Sequence, residues 1–185
     1  MIRTILFVGK PGSGKETQAK PLAEKTGYRI LSTGAVFREL RVEESPLGER
    51  VKEVYDQGKL LPAWLASYLF QPEILRMHAA EGIILEGTGR ARAEAELFDE
   101  VTGWLGRKYV VVNLDISDAE AITRQVGRGR SDSDTEEKVR TRLSEYENAT
   151  ASAISFFEER GVLINVSGER SVADIHADIV ERLKR

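Results

Sequence analysis

Seven residues near the amino terminus, Gly9-Lys10-Pro11-Gly12-Ser13-Gly14-Lys15, restrict the fold of this chain more than any other stretch. They follow an apolar run, Ile5 to Val8, and lead into a helix-compatible segment. Glycines let the backbone turn tightly, so that successive N–H groups face one anion. The helix N-terminus adds positive potential, and the Lys15 ammonium can follow a transferring phosphoryl group. Strand, glycine-rich turn and helix, in that order, is the context in which a G-x-x-x-x-G-K sequence binds phosphate. The pattern ordinarily continues with Ser or Thr, whose hydroxyl binds Mg²⁺. Here Glu16 comes first and Thr17 second.

The rest of the chain supplies the scaffold such a loop needs. Apolar runs recur at Ile5 to Val8, Arg29 to Leu31, Gly82 to Leu85, Tyr109 to Leu114 and Val162 to Val166, separated by longer helix-compatible segments. That alternation predicts an α/β fold with a doubly wound, five-stranded parallel sheet flanked by helices. The runs are continuous rather than alternating, so the strands are expected to be buried on both faces, with right-handed helical crossovers between them. Between Ser32 and Pro62 no strand pattern occurs. Helices around Ala35 to Arg41 and Leu47 to Gln57, the second stopped at Gly58, are predicted there as a helical insertion. Val139, Leu143, Tyr146, Ala149, Ala153 and Phe157 step by three or four and predict a long helix ending near Gly161. Val172 to Leu183 predicts a final amphipathic helix. Gly127 to Asp134 is a polar connection between helices.

Bulk properties exclude other classes. With 185 residues, 41% hydrophobic and 31% charged, the chain is expected to form one folded domain, not a disordered or membrane-spanning one. No signal-peptide cleavage region precedes the first strand, so an intracellular protein is expected. The absence of cysteine removes disulfides and thiolate metal sites, and His78 and His176 are too few for a histidine cluster. A net charge of −3 gives no global attraction for nucleic acid, although cations can still gather in one cleft.

Gly9 to Gln18 resembles the phosphate loop of adenylate kinases, where glycine commonly stands at the position of Glu16 and threonine at that of Thr17. The resemblance continues through Ser32-Thr33-Gly34 with Arg38, Gly58-Lys59-Leu60-Leu61-Pro62, Glu86-Gly87-Thr88-Gly89-Arg90, and the arginines between Arg124 and Arg142. It covers nearly the whole chain. It implies a P-loop NTPase fold in a single domain, residues 1–185, with a nucleoside-monophosphate-binding insertion at about 32–62 and a short lid at about 127–137. The reaction it implies is transfer of the γ-phosphoryl of MgATP to AMP, giving two ADP, in a cytoplasmic enzyme, monomeric, with no nucleic-acid or membrane partner. By the same resemblance Gly12, Ser13, Gly14, Lys15, Glu16, Thr17, Arg124, Arg128 and Arg170 bind ATP. Thr33, Arg38, Lys59, Leu60, Leu61, Gly87, Thr88, Gly89, Arg90, Glu94, Arg130 and Arg142 bind AMP. Lys15, Arg38, Arg90, Arg128, Arg130 and Arg142 carry catalysis, and Glu86 holds Mg²⁺ through water.

The chemistry agrees with those residue types. The acceptor oxygen of a nucleoside monophosphate is already anionic, so no general base is needed; two polyanions must be brought together, which demands several cations and exclusion of water. Guanidinium forks suit phosphate better than ammonium groups. Four departures from the family pattern occur: Glu16 for Gly, Ala35 for Asp, Thr88-Gly89 for an aromatic and Pro, and Glu94 for Gln. A carboxylate at 94 accepts only, which suits the donors of guanine or the amino group of cytosine better than adenine. Thr33 favours AMP, because pyrimidine-specific relatives generally carry Ala there. The alternatives are a kinase of CMP, UMP or GMP, or a non-catalytic nucleotide-binding regulator.

Overall fold

A computed structural model describes residues 2–129 and 135–184. Five strands, β1 (Thr4–Gly9), β2 (Arg29–Ser32), β3 (Ile83–Glu86), β4 (Tyr109–Asp115) and β5 (Leu163–Ser167), form one parallel sheet in the order β2-β3-β1-β4-β5. All five match the apolar runs to within a residue or two. In β1, Ile5 and Phe7 point to one face and Leu6 and Val8 to the other. Two cores result, because a strand places successive side chains on opposite sides. Ile5 and Phe7 pack with Ala19 and Leu22 of α1 (Lys15–Thr26) and Ile175 and Ile179 of α8 (Val172–Arg182). Leu6 and Val8 pack against α4 (Ala63–Leu75), α5 (Arg92–Trp104) and α7 (Glu136–Glu159), through Phe70, Phe98 and Phe157 among others.

Burial on both faces holds for β1 and β3 throughout and for the centre of β4. It does not hold for the outer strands, contrary to the sequence expectation. β2 and β5 are the sheet edges, and Ile30 of β2 is 40% exposed, because an edge strand has a neighbour on one side only and its covering helices overhang it incompletely.

The segment between β2 and β3 is helical as expected: α2 (Thr33–Leu40), α3 (Pro46–Asp56) and α4. Ser32 caps α2 and Ser45 caps α3, each hydroxyl accepting from a backbone N–H in the first turn. Phe37, Val51, Leu65 and Ala66 give this unit a small core of its own, separate from the two that sandwich the sheet. α7 follows the predicted stripe with one shift, Thr150 being buried where Ala149 was expected. α6 (Asp118–Arg128) runs further than the polar connection suggested. Gly127 and Arg128 complete its last turn, and Gly129 caps it in the left-handed region. The remainder of that connection, including Arg130, lies outside the described residues.

The strand order reverses around β1, with β2 and β3 to one side and β4 and β5 to the other. Open parallel sheets bind ligands at such a point, beyond the carboxyl ends of the strands. The glycine-rich loop leaves β1 there.

Candidate active site

The loop from Gly9 to Lys15 is shaped by its neighbours as well as by its glycines. Gly9 has φ 134°, and a Cβ on it would overlap the Leu114 carbonyl at the end of β4, so the chain can leave β1 this closely only without a side chain. Ser13 is buried, and its backbone N–H donates to the Lys10 carbonyl at 3.0 Å, closing the turn. α1 then starts at Lys15, and Lys15, Glu16 and Thr17 of its first turn, where N–H groups have no partner within the helix, line the cleft.

Lys15 folds back over this loop. Its ammonium donates to the carbonyls of Gly9 at 2.7 Å and Lys10 at 2.9 Å, and to the Ser13 hydroxyl at 3.3 Å. Burial brings its pKa down to about 8 from the ordinary 10.5; Glu86 opposes the fall, while Arg90 and Arg128 add to it. Those three charges arrive from β3, the turn after it and α6, so the shift itself records how distant segments converge on one amine.

They converge in a cleft of about 850 Å³. Gly12, Ser13, Gly14, Lys15, Glu16 and Thr17 form its floor. Arg38, Lys59, Leu60, Leu61 and Gly87 line the side toward the helical insertion, together with Phe37 and Tyr55. Arg124 and Arg128, one helical turn apart on α6, both face it, as do Arg142 of α7 and Arg170. Arg90 and Glu86 stand between the two sides. Nine cationic side chains line this space against two carboxylates, Glu16 and Glu86, in a chain of net charge −3. Several cations are already oriented by protein partners: Arg124 by Glu120 at 2.6 Å, Arg142 by Gln125 at 2.9 Å, and Arg170 by Asp178. The arrangement suits two phosphate chains meeting over Lys15 and is too cationic for a neutral substrate.

Comparison with known proteins agrees with this geometry. A family model described as adenylate kinase matches residues 7–162. The chain belongs to the adenylate kinase family. It is 36% identical over 182 residues to an adenylate kinase of Thermus thermophilus, covering 96% of this chain and 95% of the relative. It is 36% identical over 174 residues to adenylate kinase 1 of a Nostoc species, covering 92% and 93%. It is 35% identical over 180 residues to an adenylate kinase of Corynebacterium glutamicum, covering 97% and 98%.

Within this adenylate kinase family chain, four residues expected at the acceptor nucleotide do not line the cleft. Thr33 is fully buried behind the wall, its hydroxyl donating to the Glu86 carbonyl at 3.3 Å and packed where a Cβ on Gly87 would fall. Thr88 and Gly89 are buried beneath the turn that delivers Arg90. Glu94 is the most consequential. It is 4% exposed, and its Oε2 accepts from the Arg90 backbone N–H at 3.1 Å. The third residue of α5 thus reaches back over the helix start, where Ala91 has no side-chain cap to offer. Burial pushes its carboxyl pKa up, against Arg90, the N–H groups of Arg90 and Gly89, and the Thr88 hydroxyl. Its carboxylate thus holds the turn carrying Arg90 and does not line the cleft.

Glu86 fits a place beside a hydrated Mg²⁺. Its carboxylate accepts from Ser32 Oγ and lines the cleft within the field of Lys15. Among the described residues no three His, Cys, Asp or Glu side chains gather into a cage. One carboxylate with phosphate and water for the remaining positions is how Mg²⁺ is ordinarily held in such sites. Glu16 lines the cleft too, but pairs with Lys20 at 3.1 Å along α1.

Several cleft residues were not singled out as site residues by sequence, among them Phe37, Tyr55, Lys20, Tyr146 and Gln125. Tyr146 of α7, 6% exposed, has its phenol pKa raised by burial and by Asp115, against Arg90, so it stays neutral. Gln125 of α6, 1% exposed, joins Arg142 to the phosphate loop. A tyrosine on an apolar stripe and a glutamine between two arginines read, in sequence, as core and surface respectively.

Proposed function

We propose that the cleft binds MgATP over the Lys15 loop and AMP against the helical insertion, and that the protein moves the γ-phosphoryl group from one to the other, giving two ADP. The observation that carries this reading is the convergence of Lys15, Arg38, Arg90, Arg124, Arg128 and Arg142 on one cleft that joins the phosphate loop to the α2–α4 unit. A nucleotide-triphosphate site alone would not need cations on the far side.

In this reading the backbone N–H groups from Gly12 to Thr17 cradle the donor phosphates, and Lys15 leaves its carbonyl partners to follow the γ-phosphoryl. Arg124, Arg128 and Arg170 face the donor, Arg38 and Arg90 the acceptor phosphate, and Arg142 the space between. The family resemblance adds Arg130, which lies outside the described residues, and a short lid at about 127–137, while residues 32–62 form the acceptor-binding insertion of a single domain. Leu60, Leu61, Phe37 and Tyr55 give the acceptor base an apolar wall. Glu86 would hold a water of a bound Mg²⁺, which would supply further neutralisation of phosphate charge. Every remaining contribution is electrostatic and positional, supplied by guanidinium groups fixed before the reaction begins. Glu94 gave the case for a GMP or CMP acceptor, and its engagement with Arg90 supports AMP instead. No helix among the described residues is long and apolar enough to cross a membrane; the same reading makes the protein a cytoplasmic monomer.

Purified protein incubated with MgATP and each nucleoside monophosphate separates the outcomes. ADP formation with AMP, exceeding that with CMP, UMP or GMP by at least about tenfold and lost in Lys15→Met, is the expected result. ATP binding without diphosphate from any acceptor would falsify the assignment.

A further inference from the structure

α6 braces the phosphate loop along its length. Asp118 at its start pairs with Lys10. A Cβ on Gly12 would stand 3.1 Å from the Ala121 carbonyl and 3.2 Å from Gln125 Cγ, so the loop lies directly on the helix. Gln125 then completes the contact with a hydrogen bond. Its Nε2 donates to the Pro11 carbonyl at 3.2 Å and to the Ala121 carbonyl at 3.3 Å. Its Oε1 accepts from Arg142 Nη1 at 2.9 Å.

The polarity of this bridge is determined by its surroundings. Two carbonyls on one side require the donor end of the amide, and a guanidinium on the other requires the acceptor end, so the flipped amide would put like groups together on both sides. At 1% exposure, water does not replace either bond. The side chain is thus a short, dry strut between the loop that cradles phosphate and an arginine that lines the same cleft. Arginine carries large rotamer freedom, and reaction rates respond to displacements of the order of an ångström, so a strut of this kind matters to transfer more than to binding.

We propose that Gln125 is a positioning residue: its carboxamide sets the Arg142 guanidinium in fixed geometry to the phosphate loop, so that both meet the reacting phosphates together. The proposal rests on the phosphotransfer reading given above.

A double-mutant cycle tests it. Gln125→Met keeps the volume of the buried side chain and deletes both polar ends. With MgATP and AMP it should lower kcat at least about tenfold while each KM moves less than about threefold; in an Arg142→Ala background the same change should cost less than about twofold, because the residue acts through Arg142. Calorimetric Kd for MgATP should rise about threefold with Gln125→Met alone and stay unchanged when it is added to Arg142→Ala. Equal losses in both backgrounds, or Gln125→Met within about twofold of wild type, overturn the proposal and leave Gln125 as packing. If wild type forms no diphosphate, the phosphotransfer reading has failed on its own, and the MgATP cycle still decides whether Gln125 couples loop and arginine. Should Gln125→Met melt below the assay temperature, Gln125→Leu carries the same cycle; it too deletes both polar ends without setting a charge against the Pro11 and Ala121 carbonyls, and its loss must likewise vanish without Arg142.

Discussion

Lys15 has been taken partly out of water before any anion reaches it, and its three bonds to the loop and its attraction to Glu86 do not make up for the loss. Its folded pKa, about 8, lies below the 10.5 of a free lysine, so between those values the unfolded chain holds more protons than the folded one. Stability therefore rises with pH through that window, and the cost is fully present below about pH 8. Lys15→Met should stabilise the ligand-free protein at about pH 7 by on the order of 1–2 kcal/mol, allowing for the water that still reaches this half-buried side chain, and the gain should shrink toward about pH 10. Urea unfolding at several pH values reads it. A variant less stable than wild type across the whole range would show that the loop contacts outweigh the burial. In the proposed function bound phosphate is the partner that makes this buried charge favourable.

At the scale of elements, α5 shows how a residue expected at the site can be engaged by the backbone of its own helix start. Glu94 sits one turn beyond Arg90 in sequence, which brought it into the acceptor site on paper. The structure spends its carboxylate on the Arg90 N–H instead. Because burial raises its pKa, the native protein holds the proton more tightly than the unfolded chain, so stability falls as pH rises through that window, and the ionised form carries a cost at neutral pH. Glu94→Gln keeps an acceptor without the charge and should be as stable as wild type or more so. Glu94→Ala should lose about 1–2 kcal/mol through the missing cap and the space left behind. Neither should change the preference for AMP over GMP by more than about twofold, and a switch toward GMP in wild type that Glu94→Gln reverses would restore the base-reading role. The helical role was hidden because a capping box announces itself by Ser or Thr at the cap, and Ala91 is neither. The strands were legible because their apolar runs are short, β-branched and bounded by turns. α4 was less so: Trp64 and Tyr68 are both 66% exposed while Leu65 and Phe70 are buried, and Pro72, a residue that argues against helix in sequence, lies inside it, so no clean stripe marks the buried side. Gln125 was hidden for a different reason, since the two partners it bridges, Pro11 and Arg142, are distant in the chain and only the packing of α6 brings them together.

Over the whole molecule the charge is divided unevenly. Nine cations against two carboxylates in the cleft, within a chain of net charge −3, leave the remaining surface acidic. Field lines from such a cleft draw polyanions in while the exterior repels them, and salt screens both effects. Raising KCl from about 50 to about 500 mM should lower kcat/KM for MgATP at least about tenfold while kcat at saturation stays within about twofold. A flat kcat/KM would mean that contact, not attraction at a distance, sets capture. The parallel sheet has a further practical consequence. Because all five strands run the same way, every functional loop emerges at one rim, and the opposite rim, where Lys108 stands exposed just before β4, takes no part in nucleotide handling. The chain contains no cysteine. A single thiol introduced at Lys108 is therefore a unique chemical handle on the silent side of the molecule, a place to tether it to a surface or a dye with the working side turned to solution.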